Sequence, residues 1–285
     1  MKVKEVLLCL FGVMGRSPHI TFDTIKANII NHLQHNDITV DVYAYNIIVD
    51  NALVDGKKND NVTWKELLPF TEIEEELQSC VDIKIKTHLQ HVKKCQIWGN
   101  KNHDKKHIQN AIRQMYSEYM CGKYIDTKAK QYDAVIVCGP DYYIPFEINI
   151  SHIHNCTDNE NAIYFSRNNN CSGFTNGFYI STPKTIKKLL NRYNELPIIL
   201  PVYKDYEYIL KLIVDKYKIK ALFTDMLFFK IRSNNHVYWP GSAKLRKQNL
   251  EFCNHKEICI DAYNKLTNNK YNEVKNMFSP LIKLS

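Results

Sequence analysis

The sequence predicts an α/β protein, a sheet flanked by helices. Strand-like runs alternate with helix-like segments along the 285 residues. Ala134 to Cys138, and Val6 to Phe11 within the first run, are apolar without a break, the pattern of strands covered on both faces. No repeat and no Pro/Gly-rich linker interrupts the chain. We therefore expect one main domain, residues 1–235, with a C-terminal appendage, residues 236–285, packed on it.

The elements follow in order. Val3 to Phe11 reads as the first strand. Phe22, Ile25, Ile29, Ile30 and Leu33 form a helical stripe. Thr39 to Tyr45 is the second strand, and the polar stretch Asp50 to Asn61, with Gly56 and two lysines, is a loop. Trp64 to Leu89 reads as mainly helical with breaks. Lys105 to Gly122 reads as a helix stopped by its glycine. Ala134 to Cys138 is the next strand, halted by Gly139 and Pro140, with Asp141 just past its end. Glu147 to Ile150, Ala162 to Phe165 and Gly177 to Ser181 read as short strands, the last two separated by the loop NNNCSGFTNG. Thr182-Pro183 opens a helix to about Tyr193. Asp205 to Tyr217 is a further helix, Met226 to Ile231 a β-like run, and Ile260 to Leu266 a modest closing helix.

The balance of 45% hydrophobic and 24% charged residues is that of a soluble globular protein. The net charge is +8, with basic runs at Lys57-Lys58, Lys105 to His107 and Lys244 to Lys247. Such runs serve as solvated helix faces or meet phosphate-bearing ligands. No arginine-rich block or aromatic RNA-binding motif accompanies them, which argues against nucleic acid. The nine cysteines are irregularly spaced with no Cys-x-x-Cys pair, the usage of a reducing compartment. Cys253, His255 and Cys259 lack an evident fourth ligand for tetrahedral zinc. The N-terminal apolar run carries no small-x-small cleavage site and is too short to span a bilayer as a helix. A cytoplasmic protein without signal peptide or transmembrane segment is expected.

Five segments, in this order, resemble the small glycosyltransferase-like proteins of giant DNA viruses and some bacteria. They are LLCLFGVMGRS with TFDTIKANIINHL, then QNAIRQMYSEYM, KQYDAVIVCGPDYYI, TNGFYISTPKTIKKLLNRY, and finally DYEYILKLIVDKYKIK with DMLFFKIRS. The resemblance covers roughly residues 3–235. It implies a GT-A-like (Rossmann-like) mixed sheet flanked by helices, a nucleotide-sugar donor, and a glycan or protein acceptor, with a role in viral glycan synthesis. A catalytically inactive binding or structural module is the alternative, because Gly139 stands where the family pattern has arginine and Asn176-Gly177 where it has an aspartate.

The resemblance also implies roles for particular residues. Asp141, at a strand end where open α/β sheets bind ligands, is the expected ligand of a divalent metal, Mn2+ or Mg2+. Gly12, Arg16, Asp141, Tyr143, Lys230 and Arg232 are the expected donor and diphosphate contacts, with Tyr142 or Tyr143 stacking on a base or sugar. Asp225 and Glu207 are the candidate general bases. His152 and His154 read as residues of an exposed loop.

Overall fold

The computed structural model describes residues 3–49, 64–92, 105–128, 131–168, 173–199, 206–232, 237–239 and 243–267. The loop expected at 50–61, with Lys57-Lys58, lies outside them, as do residues 169–172 of the asparagine-rich loop.

Strand β1 (Glu5–Gly12) leads through a 3-10 turn (Met14–Arg16) into helix α1 (Pro18–Ile25), a π-helical turn (Lys26–Asn31) and α2 (His32–His35). Then come β2 (Thr39–Ile48), β3 (Glu72–Leu77), α3 (Gln78–Lys84), α4 (Lys86–Val92), α5 (Lys105–Thr127), β4 (Ala134–Cys138) and β5 (Tyr142–Tyr143). They are followed by α6 (Ile150–Asp158), β6 (Ala162–Phe165), β7 (Phe178–Ser181), α7 (Pro183–Leu190), α8 (Arg192–Ile199), α9 (Tyr206–Lys216), β8 (Lys220–Phe223) and β9 (Phe229–Ile231). Strand β10 (Val237–Tyr238) and helices α10 (Ala243–Glu251) and α11 (Lys256–Thr267) complete the order.

Seven strands form one mixed sheet in the order β3-β2-β1-β4-β7-β6-β8. Strands β3, β2, β1 and β4 are parallel, β7 runs against both β4 and β6, and β8 is parallel to β6. The mixed α/β class expected from the sequence is what the chain adopts. Alternate residues of β1 sort to opposite faces: Leu7, Cys9 and Phe11 pack beneath α5, α7 and α9, while Val6, Leu8 and Leu10 pack against α1, the π turn and α6. A second sheet, β10-β9-β5, carries its own cluster. There Phe229, Ile231 and Trp239 meet Leu250, Cys259 and Ile260 of the last two helices.

Four expectations need correction. The stretch Trp64 to Leu89 holds an edge strand, β3. Its sequence EIEEEL looks helical and polar, but the carboxylates are used along the sheet edge. Tyr43 Oη donates to Glu74 at 2.8 Å and Tyr45 Oη to Glu76 at 2.5 Å, while Lys65 and Lys84 pair with Glu75 and Glu76. A charged edge also resists pairing with other chains. Helix α5 does not stop at Gly122; a Cβ there would lie 3.2 Å from Leu190 Cβ, so this glycine lets α5 and α7 approach closely. Glu147 to Ile150 is no strand, because Asn149 caps α6 by accepting from the Ser151 amide at 3.0 Å. The run expected from Met226 to Ile231 shortens to β9, and Lys220–Phe223 forms a separate strand in the main sheet.

Candidate functional site

Because β1 and β4 are parallel neighbours, their carboxyl ends lie side by side, although 129 positions separate Glu5 from Ala134 in the sequence. Arg16 follows one end and Asp141 the other. Strand β5 departs from the Asp141 turn and pairs with β9, setting Tyr142 opposite Lys230. The Ile231 amide donates to the Asp141 carbonyl at 2.8 Å, which brings Arg232 to the same turn. Ser17 Oγ lies 2.7 Å from the Arg232 carbonyl and ties the β1 loop to the end of β9.

The outcome is a carboxylate between two guanidinium groups. Asp141 Oδ2 is 3.5 Å from Arg16 Nη1 and 3.7 Å from Arg232 Nη1. The Asp141 side chain is only 11% exposed, whereas those of Arg16 and Arg232 are 35% and 39% exposed, so both arginines keep N–H donors facing solvent. Lys230 Nζ sits 5.2 Å from the centre of the Tyr142 ring. Burial pushes its ammonium pKa below the ordinary 10.5; Asp141 and Glu207 pull it up, while Arg232 and Arg16 push it down. Gly12 ends β1 with φ of +108°, and no atom lies within 4 Å of where its Cβ would be.

The turn is held from below by α1 and the π turn. Thr21 Oγ1 donates to the Pro140 carbonyl at 2.8 Å, and Thr24 Oγ1 accepts from the Ile144 amide at 3.1 Å. Asn28 Nδ2 donates to the Ile144 carbonyl at 2.7 Å, and its own carbonyl accepts from the Ile148 amide at 3.0 Å. These polar residues, three and four apart on one otherwise apolar face, were passed over in the sequence. Their spacing was the available signal. Replacing Asn28 by alanine should cost about 1–3 kcal/mol, since the Ile144 carbonyl would lose its partner, and chemical denaturation would register it.

Glu207, in the first turn of α9, belongs to the electrostatic surroundings of Lys230. Its carbonyl accepts from the Phe174 amide at 2.9 Å, and a Cβ on Gly173 would stand 1.7 Å from that same oxygen. Asp225 is placed elsewhere. Its described neighbours are Asn254 at 3.5 Å and, electrostatically, His152, Cys253 and Cys259, on the side of α6 and the last two helices. The structure thus assembles Arg16, Asp141, Lys230 and Arg232, brings Glu207 toward them, and leaves Asp225 with another group.

Three other readings change. Tyr142 is not free to stack on a ligand: it is 3% exposed, lies parallel to Phe228 at 4.1 Å, and fills the space over Gly139 and Gly177. Tyr143 points to the opposite side, where its ring stacks on Phe229 at 6.2 Å among the residues that pack on the second sheet. His152 and His154 lie on α6 rather than in a loop; His152 stacks on Tyr164, and burial lowers its pKa.

A divalent metal fits this turn poorly. Such an ion prefers several oxygen ligands, and here one carboxylate is already engaged by two guanidinium groups with an ammonium nearby. Among the described residues no group of three His, Cys, Asp or Glu side chains converges.

No family model and no curated protein matches the chain. Solved structures do show similarity, among them the following two. The glycosyltransferase GlyE of Streptococcus pneumoniae TIGR4 aligns at 11% identity with a TM-score of 0.36, over 78% of this chain and 45% of that one. Mouse xyloside xylosyltransferase 1, in its apo form, aligns at 12% identity with a TM-score of 0.34, over 77% and 78%. The chain thus spans less than half of the GlyE chain. Similarity at this level assigns no residue a role. Among the described residues no helix is long and apolar enough to cross a membrane.

Proposed function

We propose that the chain is a glycosyltransferase of GT-A-like type, binding the diphosphate of a nucleotide-sugar at the carboxyl ends of β1 and β4. The observation that carries this reading is the pair of half-exposed arginines held on either side of Asp141, with Lys230 beside them. Guanidinium forks match phosphate oxygens in pairs, and charge on a departing diphosphate is what such donors stabilise. The order of the five sequence segments supports the choice of ligand.

In the proposed reaction an acceptor hydroxyl, from a glycan or a protein, attacks the anomeric carbon of the donor sugar. The bond from that carbon to the diphosphate breaks, and its electron pair stays on the phosphate oxygen. The hydroxyl proton passes to a base. Of the two carboxylates considered, Glu207 is the one near the cationic cluster and is proposed for that role.

A non-catalytic binding module is the second reading. It is favoured by Asn176, which offers no carboxylate where the family pattern has one, and by the Tyr142 ring packed over Gly177. A thermal-shift screen of UDP-, GDP- and dTDP-linked sugars tests ligand binding. A rise in Tm with one nucleotide series is expected. Release of the nucleoside diphosphate on adding acceptor glycans separates enzyme from module, and no shift with any donor at millimolar concentration would overturn both.

A further inference from the structure

The charge around Asp141 is unlike that of a metal-binding turn. Arg16 and Arg232 flank the carboxylate at 3.5 and 3.7 Å, and Lys230 lies close enough for Asp141 to act on its ionisation. Three cations thus meet two carboxylates, Asp141 and Glu207, at the point where the diphosphate is proposed to bind. The net positive charge suits the diphosphate of a nucleotide-sugar, which carries one negative charge on each phosphorus. A divalent cation placed on Asp141 would have to displace two guanidinium groups and would meet the positive field of Arg16, Lys230 and Arg232. Among the described residues no group of three His, Cys, Asp or Glu side chains gathers at Asp141 to offset it.

The other side of the site is built for an anion. Ser17 fixes the backbone of Arg232 to the loop carrying Arg16, so the two guanidinium groups are set by main-chain contacts rather than by long mobile stems alone. Asp141, nearly buried, accepts from Arg16 and forms an ion pair with Arg232, while the two arginine side chains stay 35% and 39% exposed, with Arg16 Nε buried and unpartnered. Its carboxylate therefore acts as a positioning residue that holds the two forks in place.

We infer that Arg16, Lys230 and Arg232 neutralise the donor diphosphate directly, so that binding and departure of the nucleoside diphosphate need no divalent metal. The inference rests on the nucleotide-sugar reading above and adds how that site handles charge. In the transfer step the electron pair released from the sugar carbon stays on the diphosphate, and these side chains meet the added negative charge.

The test is equilibrium binding of UDP, GDP and dTDP to the full chain by calorimetry, in EDTA and again in Mn2+ or Mg2+. One of the three should bind in EDTA with an affinity within about threefold of that measured with metal. Arg232→Ala and Arg16→Ala should each weaken binding by about tenfold or more, as expected on losing a charged hydrogen-bond partner, and equally in both buffers. Asp141→Asn should change affinity by the same factor with and without metal. Circular dichroism establishes that each variant is folded, and the wild-type comparison stands without them. Binding that appears only with Mn2+ or Mg2+, or an Asp141→Asn effect confined to the metal-containing buffer, overturns the inference and leaves the nucleotide-sugar reading intact. Absence of binding in every buffer overturns both.

Discussion

Arg192→Leu is expected to destabilise the fold by about 3–5 kcal/mol, the usual cost of leaving one member of a buried ion pair alone. Arg192 and Glu118 are 1% and 0% exposed at their side chains, and Arg192 Nη2 lies 2.5 Å from Glu118 Oε2. Tyr179 Oη donates to that same oxygen at 2.5 Å, and Gln114 Nε2 donates to Oε1 at 3.0 Å. Arg192 Nη1 also donates to the Leu189 carbonyl at 2.9 Å, so the guanidinium joins α5, β7 and the α7–α8 junction. Removing it strands a carboxylate in the core between them. A melting-temperature fall of roughly 6–20 °C should follow at about 2–4 °C per kcal/mol. The triple variant Glu118→Leu, Arg192→Leu, Tyr179→Phe removes charges and hydroxyl together and should recover most of the loss. A single variant that melts with the wild type would remove this pair from the account of stability.

The second large effect is expected at Gly177. A Cβ there would lie 2.1 Å from Tyr142 Oη and 2.2 and 2.4 Å from two ring carbons, and one on Gly139 would lie 2.8 Å from the same ring. The ring has nowhere to go, because its other face rests on Phe228 at 4.1 Å with the planes 6° apart. Gly177→Ala should therefore cost about 3 kcal/mol, the upper end of ordinary overpacking. Tyr142→Leu alone leaves a cavity and also destabilises. In the Gly177→Ala background the same change relieves the clash, so the two should be non-additive by about 1–3 kcal/mol in a double-mutant cycle. Strict additivity in urea denaturation would show that the two positions do not share this space. Gly177→Ala should also weaken diphosphate binding, since Tyr142 is paired with Lys230 across β5 and β9.

The same trio bears on the two departures from the family pattern. Gly139 and Gly177 read, in the sequence, as an absent arginine and an absent acid. In three dimensions they make room for one tyrosine. No sequence pattern joins residues 139, 142 and 177, because the contact is made by the antiparallel pairing of β4 with β7. The central strands were legible for the opposite reason: β1 and β4 are buried on both faces, and an unbroken apolar run is visible without knowing the partner. Arg16 and Asp141 were legible as residues just past strand ends. Lys230 and Arg232 were legible as alternate residues on one late strand. Strand β3 was hidden because its glutamates are satisfied by tyrosines and lysines from elsewhere. Asp225 lies between β8 and β9, which belong to different sheets, and its described neighbour there is Asn254, a contact with the C-terminal helices that no local pattern announces.

The strand order carries a consequence for how the chain is made. Strand β1 lies at the centre of the parallel half, yet β4, which closes its second edge, begins at Ala134. At ribosomal speeds of about 5–20 residues per second, roughly 6–25 seconds separate synthesis of the two strands. During that time VLLCLF has β2 to pair with on one side and nothing on the other. Strands β6, β7 and β8, by contrast, span only Ala162 to Phe223, and their pairings close over shorter loops. The nascent chain should therefore be most exposed to misassembly before residue 138 emerges, and pulse proteolysis of stalled chains would locate that interval.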